Sequence, residues 1–367
     1  MTIDINGNPV IGVELNGTPI SNVEVDGQNV WKEAFYDVQN ISAPNEVGEG
    51  ESFTVSANVV NTGDVAGEQQ SINFNRGGSQ NVTLDSNQST NVSFSETINN
   101  FGSYTLTISS DDDSASRTVT IPEPFNITDQ KFDTSISAQD GNPRGMAWND
   151  DGSRLYVVGR GSDRIYQYTV STPYDIASAS FDTDIPTQDG DPQGIAWNND
   201  GTRLYEVGQG SNNIYQSTLS TPFDIDTASF DTSINSQHDF PQGIAWNDDG
   251  SRLYEVNVAP DRISQYTVST PFDISTASVD TYIETADGLP SGIAWNNDGT
   301  RLYEVGNNSE KIYQYNISTP FDISFESAST SIDTQDGDPQ GIAWNNDGTR
   351  LYEVGGFFSE RIYQYTL

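Results

Sequence analysis

Apolar and polar residues alternate at period two over much of this chain, and no stretch sustains the three-to-four-residue spacing of an amphipathic helix. Between residues 36 and 122 the alternation falls into about seven short runs separated by Gly, Asn and Asp turns. Ser52-Phe53-Thr54-Val55-Ser56-Ala57-Asn58-Val59 and Ser103-Tyr104-Thr105-Leu106-Thr107-Ile108 are two of them. Such spacing predicts two antiparallel sheets packed face to face, each strand burying alternate side chains. The expected fold class is all-β throughout.

From residue 123 onward the pattern repeats. The phrase GIAWNNDGTRLY or a close variant begins at Gly145, Gly194, Gly243, Gly292 and Gly341, each 49 residues after the last. A fixed period of this length, with several short strands per unit, predicts a β-propeller of five blades over 123–367. In the second copy strand A is expected at 194–197, B at 203–207, C at 214–219 and D within 228–231. The last copy ends after strand C, whereas Pro124-Phe125-Asn126-Ile127 and Phe132-Asp133-Thr134 repeat the D-strand phrase Pro222-Phe223-Asp224-Ile225 and Phe230-Asp231-Thr232. The first strand of the array is therefore expected to complete the final blade and leave no open edge. The tryptophans at 148, 197, 246, 295 and 344 recur in every copy and are expected between blades.

Residues 1–35 carry a smaller repeat: Asn6-Gly7, Asn16-Gly17 and Asp26-Gly27 lie ten residues apart and are followed by Val10, Ile20 and Val30. Asn-Gly and Asp-Gly favour tight turns, so the segment reads as short strands joined by turns. It is too short to bury a core alone, and Val10, Ile20, Val30 and Trp31 are expected to mediate assembly with another surface.

Charge changes the picture of environment. The formal net charge is −38, and Lys32, Lys131 and Lys311 are the only lysines among fifteen basic residues. Repulsion of this size disfavours a compact chain at low salt, but a Debye length of ~3 Å at 1 M salt nearly removes it. A hypersaline setting is expected, and nucleic acid is not an expected partner because no basic patch exists to meet phosphates. The chain has no cysteine, and its first residues show neither a basic nor an apolar signal region, so a soluble protein with no membrane insertion is expected.

Comparing the five copies separates scaffold from candidate site. Nearly everything repeats except the loop between strands B and C. There Arg160, Asp163, Gln209, Asn212, Asn213, Asp261, Arg262, Asn307, Asn308, Glu310, Phe357 and Phe358 are the candidate ligand contacts, with the adjacent phenylalanines the strongest of them. These loops should share a face with the D-to-A connections such as Gln188-Asp189-Gly190-Asp191-Pro192-Gln193, giving amides, charges and a few aromatics suited to sugar hydroxyls or a polar protein surface. The Asn198-Asn199-Asp200-Gly201 turns offer too few oxygens for calcium, and no metal or other cofactor is expected. Glu206, Glu255, Glu304 and Glu353 recur in strand B, where they either form an acidic ring or pair with neighbouring Arg or amide groups. Carboxylates come in repeated sets, and the lone histidine, His238, has no nucleophile motif beside it, so no enzymatic activity and no catalytic residue is expected.

Three resemblances extend this reading. Val59-Val60-Asn61-Thr62-Gly63-Asp64-Val65-Ala66-Gly67-Glu68-Gln69 resembles the cell-adhesion-related immunoglobulin-like domains of bacterial and archaeal surface proteins, implying an immunoglobulin-like sandwich at 36–122 that acts as a spacer. The array is similar to tachylectin-like lectins in blade number and repeat regularity, implying multivalent binding without naming a sugar. The NG-x-x-[VI] turns leading to Val30-Trp31 resemble N-terminal segments of structural proteins of tailed viruses. Together they imply a spike or fibre subunit on the virion surface of a tailed virus of halophilic archaea, assembled in the host cytoplasm. Residues 1–35 would then contact other virion proteins, the subunit would form a homo-oligomer, and the propeller would bind a host glycan or surface-layer glycoprotein. A purely structural capsid decoration, turret or tail protein and a haloarchaeal cell-surface adhesin are the alternatives.

Overall fold

The computed structural model describes residues 34–367 except 325, together with strand backbone at 13–15, 18–20, 22–25 and 28–32. Apart from short 3₁₀ turns such as Ile225–Thr227, the regular structure among the described residues is antiparallel β. The chain divides into two compact units, Met1–Glu123 and Pro124–Leu367.

In the first unit Val13–Leu15 pairs with Thr18–Ile20, and Asn22–Val25 pairs with Gln28–Lys32. Strands thus flank two of the expected turns. Ile20, Val30 and Trp31 lie on these strands, while Val10 falls outside the described residues, as do the side chains of all four. Beyond them, seven strands form two sheets. Tyr36–Ser42, Ser52–Asn61 and Ser89–Thr97 make one; Ser114–Ile121, Gly102–Ser109, Gln70–Phe74 and Ser79–Val82, in that order, make the other. Along Ser52–Asn61 the burial alternates, and Val55, Ala57 and Val59 enter a core with Ile72, Leu106, Ile108 and Val119. Phe74 of one sheet stacks on Phe94 of the other at 5.3 Å between centroids. Asn61 explains its own motif: buried, its amide accepts from Phe35 N and Gly63 N and donates to Val65 O and Leu84 O. A buried side-chain amide so fully paired fixes the Asn-Thr-Gly bend without a desolvation cost.

The second unit holds five four-stranded antiparallel sheets. In the second copy the strands are Pro192–Trp197 (A), Arg203–Gly208 (B), Asn213–Leu219 (C) and Ala228–Asn235 (D), paired in that order. Strand D runs four residues past the expected 228–231 because its register with C continues from Ala228 opposite Leu219 to Asn235 opposite Asn213. The fifth sheet takes its outer strand from the start of the array, where Lys131–Ser137 pairs with Arg361–Thr366. The A strands contact one another in cyclic order, including the last, Pro339–Trp344, with the first, Pro143–Trp148.

Glycine makes that approach. A Cβ on Gly145 would stand 2.8 Å from Gly194 Cα, and one on Gly194 would stand 3.0 Å from Gly243 Cα. The same crowding runs through Gly292 to Gly341, whose Cβ would lie 2.6 Å from Arg144 O. Farther out, each tryptophan bridges two sheets. Trp197 packs against Tyr156 of the preceding sheet at 4.7 Å and against Phe223 of its own copy at 5.3 Å. Trp246 does the same with Tyr205 and Phe272, and Trp295 with Tyr254 and Phe321. These tilted contacts join sheet to sheet, each adding about 0.5–1.5 kcal/mol beyond the area it buries.

Candidate functional site

The loop architecture follows from one repeated aspartate. Asp189 is buried and accepts from Asp191 N (2.8 Å), Gly210 N (2.9 Å), Ser211 N (3.0 Å) and Ser211 Oγ (2.6 Å). One carboxylate thereby ties the D-to-A connection to the B-to-C loop, and Asp140 and Asp287 repeat the arrangement. Its closeness also explains the glycine ending strand B, since a Cβ on Gly208 would sit 2.3 Å from Asp189 Cγ. Backbone bonds add to this, from Arg160 N to Asn142 O, Gln209 N to Asp191 O and Asn307 N to Leu289 O. The variable loops and the D-to-A connections therefore share one end of the array.

The third copy departs from this rule. His238 stands in the aspartate position, Asn257 replaces the glycine, and Ser264 replaces the tyrosine whose hydroxyl meets the aspartate network elsewhere. Strands B and C there lengthen to Arg252–Ala259 and Asp261–Val268, and Phe240 turns outward with φ 58°.

At the shared end lies a depression of about 430 Å³. Three sets of five equivalent positions lie at this end: Arg144, Gln193, Gln242, Ser291 and Gln340, just before the glycines, all lining the depression; Arg160, Gln209, Val258 and Asn307, opening the B-to-C loops, which line it where Gly356 does not; and, in the D-to-A connections, Phe240 and Leu289, which line it where Asn142, Asp191 and Asp338 do not. The fivefold pattern is broken into two walls. Copies three and four supply Phe240, Val258, Leu289 and Pro290, with Phe240 half exposed. The opposite wall is polar. Arg160 pairs with Asp191 at 2.6 Å, Gln193 Nε2 donates to Asp191 Oδ1 at 2.6 Å, Arg144 donates to Gln340 Oε1, and both Gln340 and Asn307 donate to Asp338. Burial, and then the charge of Arg160, lower the Arg144 pKa from its ordinary value. Arg144 Nε and Asn142 Oδ1 are buried with no protein partner. On a chain of net charge −38, two of fifteen basic residues are held in this wall.

The structure brings together three of the expected contacts, Arg160, Gln209 and Asn307, and leaves the others outside the depression. Asp163, Asn212 and Glu310 take positive φ at the corner of their turns, a scaffold position. Asn212 nevertheless positions the site, because its Oδ1 accepts from Phe240 N at 3.0 Å. Asn213 begins strand C, and Asn308 N donates to Asp287. Asp261 opens strand C of the third copy, while Arg262 turns toward strand D, bonding Glu284 at 3.2 Å and lying 3.8 Å over the Tyr282 ring. Phe357 and Phe358 are 62% and 86% exposed and 5.7 Å apart; they stand beside the polar wall, the Phe357 amide donating to Asp338, without lining it. The central set at 144, 193, 242, 291 and 340 was not among the expected contacts. Its signal was available, since the position just before the invariant glycine changes between Arg, Gln and Ser among the copies. The arrangement is also one shared depression, to which all five copies contribute, where several separate sites were expected.

The repeated glutamates do not reach the depression. Glu206, Glu304 and Glu353 are buried, and each accepts two D-to-A backbone amides, from Gln188 and Asp189, Ala286 and Asp287, and Gln335 and Asp336. Desolvation pushes all three up to about 7. Backbone amides partner all three and tyrosine hydroxyls add to Glu304 and Glu353, so the expected amide pairing is found, and neither an acidic ring nor Arg pairs. In the Asn-Asn-Asp-Gly turns, Asp200 Oδ1 is spent on Thr202 and Asn198 of its own turn.

Residues 36–117 match the CARDB family, the cell-adhesion-related immunoglobulin-like domain, which covers the two-sheet sandwich of the first unit. No curated protein matches the chain.

Proposed function

We propose that the five sheets are blades of one five-bladed propeller and that the protein is a non-enzymatic binding protein displayed on a surface, its depression holding a glycan. The propeller reading is supported by the cyclic contacts of the A strands and by the pairing of Lys131–Ser137 with Arg361–Thr366. The observation that carries the glycan reading is the split of equivalent positions into an apolar wall (Phe240, Val258, Leu289) and a polar one (Arg144, Gln193, Asn307, Gln340). A pyranose offers the same two aspects, a C–H face and an edge of hydroxyls. The unpartnered Arg144 Nε, on a side chain that lines the depression, supplies a donor for it, and a buried polar atom without a partner gains most from a ligand that satisfies it.

We place the protein on the virion of a tailed virus of halophilic archaea, as a spike or fibre subunit that assembles through residues 1–35 and meets a host glycan or surface-layer glycoprotein. The charge of −38 with three lysines and the turn series at Asn6, Asn16 and Asp26 support this carrier. The second reading, a haloarchaeal cell-surface adhesin, is favoured by the CARDB match at 36–117. Locating the protein in purified particles or in the cell envelope separates them.

The binding test uses the full chain in molar NaCl on arrays of haloarchaeal surface glycans. Arg144→Ala and Phe240→Ala should each weaken binding at least tenfold, while Arg262→Ala, outside the depression, should leave it unchanged. Absence of binding to glycans and to intact haloarchaeal cells refutes the glycan reading and leaves a structural decoration.

A further inference from the structure

A second feature concerns one interface between sheets and is independent of the depression. In the third, fourth and fifth copies a tyrosine from strand C lies over the buried glutamate of strand B. The hydroxyls of Tyr266, Tyr315 and Tyr365 donate to Glu255, Glu304 and Glu353, and each accepts a D-to-A backbone amide, from Gln237 (2.9 Å), Ala286 (2.8 Å) and Gln335 (3.0 Å). The first copy keeps the tyrosine, Tyr168, but has Val157 in place of the glutamate. The second copy alone keeps the glutamate and loses the ring, with Ser217 in the tyrosine position.

The ring's absence leaves space. A cavity of about 180 Å³ is lined by Ile165, Leu204 and Ile225, with Glu206 and Ser217 inside and the half-exposed Phe230 at its mouth. Glu206 is 4% exposed and accepts Gln188 N and Asp189 N, but no hydroxyl donates to it. A cavity of roughly 150 Å³ lined by apolar side chains is enough to take up benzene. This one adds a carboxylate and a backbone amide where the sister copies hold a phenol oxygen.

We propose that this cavity is a binding site for a small phenol, whose ring occupies the space vacated at Ser217 and whose hydroxyl donates to Glu206 and accepts from Gln188 N. The sister copies supply the geometry, since each holds the same ring covalently. Hydrogen bonds to charged groups are the stronger class, so the hydroxyl should dominate selectivity over ring shape alone.

The experiment titrates the full chain in molar NaCl with p-cresol and with 4-methylanisole, which has the ring but no O–H to donate, by calorimetry and saturation-transfer NMR. One equivalent of p-cresol should bind saturably, with 4-methylanisole at least tenfold weaker, a difference of about 1.4 kcal/mol. Ser217→Tyr should abolish binding and raise the melting temperature, and Ser217→Phe, which fills the space without a hydroxyl, should also abolish it. No saturable p-cresol binding, equal binding by the ether, or undiminished binding by Ser217→Tyr or Ser217→Phe overturns the proposal.

Discussion

Replacing Gly341 by alanine tests whether the inner strands meet around a closed ring. The added Cβ would lie 2.6 Å from Arg144 O and 3.1 Å from Gly145 Cα, both backbone atoms of the first copy. Ordinary contact begins at 3.4 Å, so the strands must part by 3.4 − 2.6 = 0.8 Å at a point where neither can swing a side chain aside. Overpacking of this kind costs about 3 kcal/mol at the upper end, and alanine returns about 1 kcal/mol by restricting the unfolded chain. A net loss of about 2 kcal/mol should lower the melting temperature by about 4–8 °C in a domain of this size. Gly190→Ala is the control, because nothing lies within 4 Å of its Cβ and its φ is not positive. Differential scanning calorimetry in molar NaCl on both variants gives the comparison. If Gly341→Ala melts with the control, the last A strand does not press on the first, and both the ring and the shared depression lose their basis.

Two further outcomes follow from charge. Lowering NaCl from molar to about 0.1 M lengthens the Debye length from ~3 to ~10 Å and should lower the melting temperature, because the −38 charge is no longer screened; equal values at both salts refute the hypersaline assignment. The glutamates give a pH dependence. Glu206, Glu304 and Glu353 are held near 7 against an ordinary 4.5, so the protonated form is favoured by folding, and their contribution is full below about 4.5 and lost as pH rises through about 7. In molar salt the stability should fall between pH 5 and pH 8 by at most on the order of 3 kcal/mol per carboxyl, read as a falling melting temperature, and Glu304→Gln should flatten the fall. A melting temperature that rises over this interval contradicts the assignment.

The sequence by itself determined the strands, their order and the scaffold, because each is written in local chemistry: alternation for strands, Asn-Asn-Asp-Gly for the A-to-B turns, and a repeat whose regularity exposes its own register. It also located the end of the array where the copies differ. The tertiary structure alone decided which differing residues meet. Asp163, Asn212 and Glu310 vary because their turn corner needs only a residue tolerant of positive φ, whereas Arg144, Gln242 and Ser291 vary at one position beside the glycine seam and so line one depression across the repeats. Adjacency between neighbouring sheets joins residues 49 or more positions apart, and no local pattern reports it. The cavity at Ser217 has the same origin, since a tyrosine-to-serine difference becomes a space only when the neighbouring sheet holds its place.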